Sequence, residues 1–331
     1  QFSAPVHWEA SQEPAELFTL LACDNDPFAR WDAGQQLWRR LLLARASGTP
    51  NADLEGQMLE ALTVLLAPDG EQDPAVLSTL MAFPGGPELE ALQQEADPPA
   101  LYRAACELRE QFGQSLAPLL RERLNLVEAA LVLAWPEGQG QRQLTGLIWA
   151  WLAAAGDSAV RAAALAAVGG PSMTLARAAL RALQPLDCPE REQALRQFHD
   201  RWQEKPVIFD SWFALEASTP RADGLQRVAS LLQHPRFDPM APNAVRAVLG
   251  GFAGNLLVFH AEDGSGYRFM AEQIIALDQR NAITASRLAK VFSRWGTYSS
   301  KRQVLVKAAL DQLSAAQLSS NTREVVEMML G

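Results

Sequence analysis

The stretch Phe259–Phe269, FHAEDGSGYRF, gathers a histidine, two carboxylates, a serine and a tyrosine into one short span. Side chains of these types could act as general base, nucleophile or metal ligand. The spacings that such chemistry needs are missing. A zinc site on one helical face requires H-E-x-x-H, whereas His260 is followed by Ala-Glu-Asp and His199 by Asp-Arg-Trp. The DGSG segment lacks the alternating oxygen ligands and closing glutamate of a calcium loop. It is also not a G-x-S-x-G elbow following a strand. GGFAGN, at Gly250 to Asn255, lacks the Lys-Ser/Thr of a phosphate cradle, and its glycines read as a tight turn between helices.

The reading that remains for FHAEDGSGYRF is structural. Asp263 and Ser265 precede YRFMAEQIIALDQ and are expected to cap its first turn. Gly264 and Gly266 would relieve the backbone there, and Phe259 and Tyr267 would pack across the turn. A helical hydrolase built on His260 with Glu262 or Asp263 is the chemical alternative. His234, in QHPRFDP, is expected at the surface or in a capping role.

A second pattern follows directly. From Arg280 to Lys307 the chain carries Arg280, Arg287, Lys290, Arg294, Lys301, Arg302 and Lys307 with no Asp or Glu, against a net charge of −9 for the whole chain. On one continuous helix Arg280, Ile283, Arg287, Lys290 and Arg294 fall within an arc of about 80°, with Leu288, Phe292 and Trp295 opposite. Such a stripe is either a solvated face or one aimed at an anionic surface, a peptide carboxylate or an acidic cavity. The acidic whole-chain balance argues against a nucleic-acid binder, an idea that only a local basic patch could rescue.

The elements that would position these residues are helices. Apolar residues recur at three- and four-residue intervals almost throughout, punctuated by proline, glycine and Asp or Ser caps. In CDNDPFARWDAGQQLWRRLLLARASG, Asp26 can cap, Pro27 can take the first helical position, and Gly48 can end the helix in a left-handed conformation. Roughly sixteen to eighteen such helices joined by short loops predict an all-α fold. Successive antiparallel pairs would stack as an irregular α-solenoid of armadillo/HEAT type. The alanine-rich middle, Ala150 to Leu183, reads as close helix packing, with Trp149 and Trp151 on different faces, one inward and one against a neighbouring helix.

Length sets a prior of about two domains. A hydrophobic share of 48% and a charged share of 20% are those of a soluble globular chain. Cys23, Cys106 and Cys188 are too far apart for a zinc knuckle and are expected reduced, in a cytoplasmic setting. No apolar run approaches the roughly 18 residues of a membrane span, and no secretory signal opens the chain. The opening QFSAPV has no initiator methionine, as expected of an excised fragment.

FSAPV, FARWDAGQQL, RFDPMAPNAVRAVLGGFAGN, FHAEDGSGYRF, RNAITASRLAKVF and SSKRQ, in this order, resemble the C-terminal helical domain of bacterial aminopeptidase N, a zinc exopeptidase of the gluzincin group. The resemblance implies that residues 1–8 are the remnant of a preceding β-sandwich and linker and that residues 9–331 form the helical superhelix domain. It implies no catalytic residue and no metal site in this fragment. Zinc and a glutamate base would belong to a preceding catalytic domain of the same polypeptide, and peptides would be substrates of the intact enzyme. The helical domain would then cap the active-site chamber and limit access to it, with Arg246, Ile283 and Arg287 lining the chamber. Neither nucleic acid nor membrane is an expected partner. An independent α-solenoid adaptor for protein partners is the alternative.

Overall fold

The computed structural model describes residues 12–128, 131 and 136–331, and among them the only β feature is an isolated bridge between Ala96 and Tyr298. The expected FSAPV remnant and the boundary after residue 8 lie outside the described residues, as does His7. The regular backbone is otherwise helical, in the punctuation expected. Asp26 accepts from the Phe28 amide with Pro27 at the first helical position, and Gly48 closes the helix Pro27–Ala46 at φ 75°. Asp73, Asp157, Ser172, Asn255 and Asn281 cap later helices in the same way. No described helix is long and apolar enough to cross a membrane.

The chain divides into two compact units. One comprises the described residues of Gln1–Pro84 and Ser115–Thr145. In it Pro14–Cys23 packs on Pro27–Ala46 and on Ala52–Leu66, and the last two pack on Pro74–Met81. Leu17, Leu21, Leu37, Trp38, Met58 and Leu62 are fully buried between these helices. The Trp38 indole donates to the Leu80 carbonyl at 3.1 Å and meets the Phe83 ring edge-on, so its one polar atom is satisfied inside the core. Buried Arg123 caps the C-terminal end of Ala52–Leu66, donating to the carbonyls of Leu65, Leu66 and Ala67.

The other unit comprises Gly85–Gln114 and Gly146–Gly331. Here successive and next-but-one helices recur as packing neighbours, the contact pattern of a solenoid. Ser158–Val168 packs on Met173–Leu183 and on Pro189–Trp202, which packs on Pro206–Ser218. Ser265–Asp278 packs on Ala282–Ala289 and Ser300–Ala315, and both Ala282–Ala289 and Ser300–Ala315 pack on Ser320–Leu330. Small residues permit the close approaches. A Cβ at Gly113 would stand 2.3 Å from the Trp151 carbonyl oxygen, and one at Gly146 would stand 2.8 Å from the Ala178 methyl. Trp149 and Trp151 are both buried, Trp151 against Phe112.

Two stretches depart from the periodicity. The backbone runs α over Pro242–Val245, π over Arg246–Gly250 and α over Gly251–Ala253, so Gly250 and Gly251 lie inside helical turns rather than in a turn between helices. For Gly251 the reason is proximity: a Cβ there would lie 3.0 Å from the Ala214 carbonyl oxygen of Pro206–Ser218. The single helix expected from Arg280 to Trp295 ends at Ala289 and continues as 3₁₀ turns at Lys290–Phe292 and Trp295–Thr297.

Candidate functional site

Residues 259–269 fold inward. His260 is 4% exposed; its Nδ1 lies 2.6 Å from the Tyr267 hydroxyl, and Arg302 donates to the His260 carbonyl at 2.7 Å and to the Tyr267 hydroxyl at 3.3 Å. The Tyr267 hydroxyl thus joins the imidazole to the guanidinium, accepting from the latter. Burial, then the nearby Arg302 charge, push His260 down to about 3, so the ring is neutral. Phe259, Tyr267 and Tyr298 surround it edge-on. A neutral imidazole with one nitrogen occupied, sealed among rings, is a core element. Among the described residues no three His, Cys, Asp or Glu groups converge as metal ligands. The described residues therefore do not fit a zinc ion.

The turn itself differs in detail from the expectation. Asp263 accepts from the Ser265 amide at 2.9 Å, while Ser265 is the first helical residue rather than a cap, and Gly264 stands before it at φ 70°, a left-handed conformation that favours glycine. Gly266 is needed for space: a Cβ there would lie 2.3 Å from the Phe259 carbonyl oxygen and 2.6 Å from that of Val258. Phe259 and Tyr267 pack with ring centroids 5.2 Å apart.

The basic segment divides by function. Arg302 is spent on the His260 network, and Arg294 donates to the Pro87 carbonyl at 3.0 Å and lies 3.5 Å from buried Glu90. Lys301 pairs with Glu262 and Lys307 with Asp311. Arg294 therefore leaves the free face assigned to it, because the helix carrying that face ends before it. Arg280, Arg287 and Lys290 are exposed and form no ion pair among the described residues, and Ile283, 59% exposed, stands beside them. Trp295 donates to the Met329 carbonyl at 2.9 Å. His234 lies half-buried in its loop against His199, Phe209, Trp212 and Phe213, and its Nδ1 accepts from the Arg236 amide at 3.1 Å, the capping role expected of it.

Ala282–Ala289, which carries Ile283 and Arg287, packs directly on the π turn that begins at Arg246. Arg246 in turn borders a cavity of about 610 Å³ between the helices Met173–Leu183 and Pro206–Ser218 and the π turn, with Arg177, Arg181, Asp210 and Asn243 on its walls. Ile283 and Arg287 are not among its lining residues. The π turn is what places Arg246 here: it inserts an extra residue per turn, while Gly251 lets the segment close on Ala214. The Arg246 guanidinium donates to the Asn243 side-chain oxygen at 2.7 Å. Asp210 is held above the usual carboxylate range by burial, with the Arg246 charge opposing that rise. Arg177, Arg181 and Asp210 were not legible as site residues. The available signal was two arginines one turn apart on the polar face of an alanine-rich helix.

A family model described as "Domain of unknown function (DUF3458_C) ARM repeats" matches residues 14–331. Aminopeptidase N of Caulobacter vibrioides is 34% identical across the whole of this chain, which covers 39% of that protein; aminopeptidase N of Escherichia coli is 32% identical, again across the whole chain, which covers 38% of it. A crystal structure of Legionella pneumophila aminopeptidase A in complex with aspartic acid superposes with a TM-score of 0.87 at 25% identity, covering 99% of this chain and 40% of the other. The chain thus spans about two fifths of the length of these relatives. Its helix-on-helix solenoid contacts and its match over residues 14–331 agree: the chain belongs to this ARM-repeat family, the C-terminal domain family of aminopeptidase N.

Proposed function

We propose that the chain is the noncatalytic C-terminal domain of a zinc aminopeptidase, residues 9–331 forming one helical domain that caps the active-site chamber and controls which peptides enter. The whole enzyme removes N-terminal residues from peptides in the cytoplasm, with zinc held by a catalytic domain of the same polypeptide on which this domain docks. One observation carries the reading. Arg246, Ile283 and Arg287 sit on two directly packed elements of one unit, all exposed, with neither arginine spent on a carboxylate among the described residues. Exposed arginines that form no ion pair within the chain are suited to a partner surface. The two arginines supply positive potential toward peptide carboxylates, and Ile283 supplies an apolar edge. The 39% coverage of the aminopeptidase N relatives supports a catalytic portion elsewhere in the parent polypeptide.

The test is Arg287→Ala in the intact enzyme. KM for tri- and tetrapeptides rises several-fold, while zinc content and turnover of an aminoacyl arylamide, which has no carboxylate, stay unchanged. Equal kinetics of variant and parent on peptides and arylamide would remove the chamber role.

A further inference from the structure

The 610 Å³ cavity has the size of a small-ligand site and an uncommon charge balance. Arg177 and Arg181 lie one turn apart on Met173–Leu183, so their like charges repel. Arg246 faces the same space from the π turn. None of the three forms an ion pair among the described residues. Several other arginines of the unit are spent internally: Arg191 on Asp187 and Glu192, Arg221 and Arg227 on Glu216, and Arg201 on the carbonyls that end Ser158–Val168. The one carboxylate lining the cavity, Asp210, cannot balance three guanidinium groups.

Asn243 completes the donor set. Its side-chain oxygen accepts from Arg246, which fixes that guanidinium and leaves the amide nitrogen as a further donor. Gln184 at the cavity wall donates to the Leu215 carbonyl and the Ser218 hydroxyl, so it braces the wall rather than adding charge. Planar guanidinium forks on two facing elements match the paired oxygens of a phosphate or carboxylate group.

We propose that this cavity binds a small multivalent oxyanion, a phosphate-bearing or dicarboxylate molecule, held by Arg177, Arg181 and Arg246. The site shares Arg246 with the reading above but does not rest on it, since Arg177 and Arg181 have no part in that reading and the 331-residue chain alone contains every donor.

The experiment titrates the 331-residue chain with inorganic phosphate and, separately, with succinate, at constant ionic strength near neutral pH, by calorimetry. A single saturable site is expected for at least one of the two. R177A/R181A weakens it roughly tenfold or more, as does Arg246→Ala, because each removes charge-assisted hydrogen bonds. Asp210→Asn tightens it by removing the opposing carboxylate, and Lys301→Ala, which removes a positive charge outside the cavity, leaves it unchanged. Preference for phosphate identifies phosphorylated ligands and preference for succinate identifies dicarboxylates; either supports the site. Circular dichroism confirms the fold, and Arg177→Gln alone replaces the double variant should that fail to fold. Absence of saturable binding of both anions, or equal weakening by Lys301→Ala, overturns the proposal.

Discussion

Acidification should destabilise this chain through His260 in a calculable way. The imidazole is buried and neutral in the fold, held down to about 3 by burial first and by Arg302 second, whereas an unfolded histidine titrates near 6.5. The folded-state value lies below the unfolded one, so the unfolded chain takes up the proton first. This group's stabilising contribution is complete above about pH 6.5 and is lost progressively as pH falls toward 3. The slope is about 1.4 kcal/mol per pH unit inside that window, which amounts to about 2 kcal/mol between pH 7 and pH 5. Carboxylates elsewhere also titrate over this range, so the measurement is a double difference. His260→Gln keeps an acceptor for the Tyr267 hydroxyl and removes the titration. Urea unfolding of parent and variant at both pH values gives the two stability losses, and the parent's should exceed the variant's by about 2 kcal/mol. Equal losses would show that the imidazole is already charged in the fold, or reaches water, and the account of the His260–Tyr267–Arg302 network would fail.

Other substitutions test the same architecture. Gly266→Ala forces a Cβ against the carbonyl oxygens of Phe259 and Val258 and should cost about 2–4 kcal/mol in denaturant unfolding, whereas Gly264→Ala, strained by its positive φ and meeting the Leu305 side chain at 3.1 Å, should cost about 1–2 kcal/mol. Arg123→Met removes the donors to three carbonyls at the end of Ala52–Leu66 and should lower stability by about 2–3 kcal/mol, with faster amide exchange at the end of that helix. The Arg287→Ala kinetic split and the R177A/R181A anion titration address the two surfaces separately: loss of one effect leaves the other intact.

The helices themselves were legible because their signals are local. Proline at a first helical position, a capping aspartate and a glycine stop act within a few residues, so Asp26, Pro27 and Gly48 could be placed without knowing what they pack against. The same holds for the all-α class, and the absence of H-E-x-x-H from this chain is a matter of spacing alone. Where the reading went astray, a long-range contact had overruled the local period. Arg294 follows periodicity onto a basic face, but Pro87 and Glu90, distant in sequence, claim it after the helix has ended at Ala289. Gly251 looks like a turn glycine and is instead the point where one helix must clear another's carbonyl.

The site divides along the same line. Composition and pattern determined that this chain is a stack of capped helices with an unbalanced positive segment near its end. Tertiary structure alone decided which charges are spent. Arg302 disappears into a buried network with His260, Arg287 stays free on Ala282–Ala289, and Arg177 and Arg181, unremarkable in an alanine-rich run, come to face Arg246 across a cavity. The physical reason is that a charge's role depends on its nearest opposite charge or carbonyl, and in a solenoid those neighbours are set by how successive helices stack.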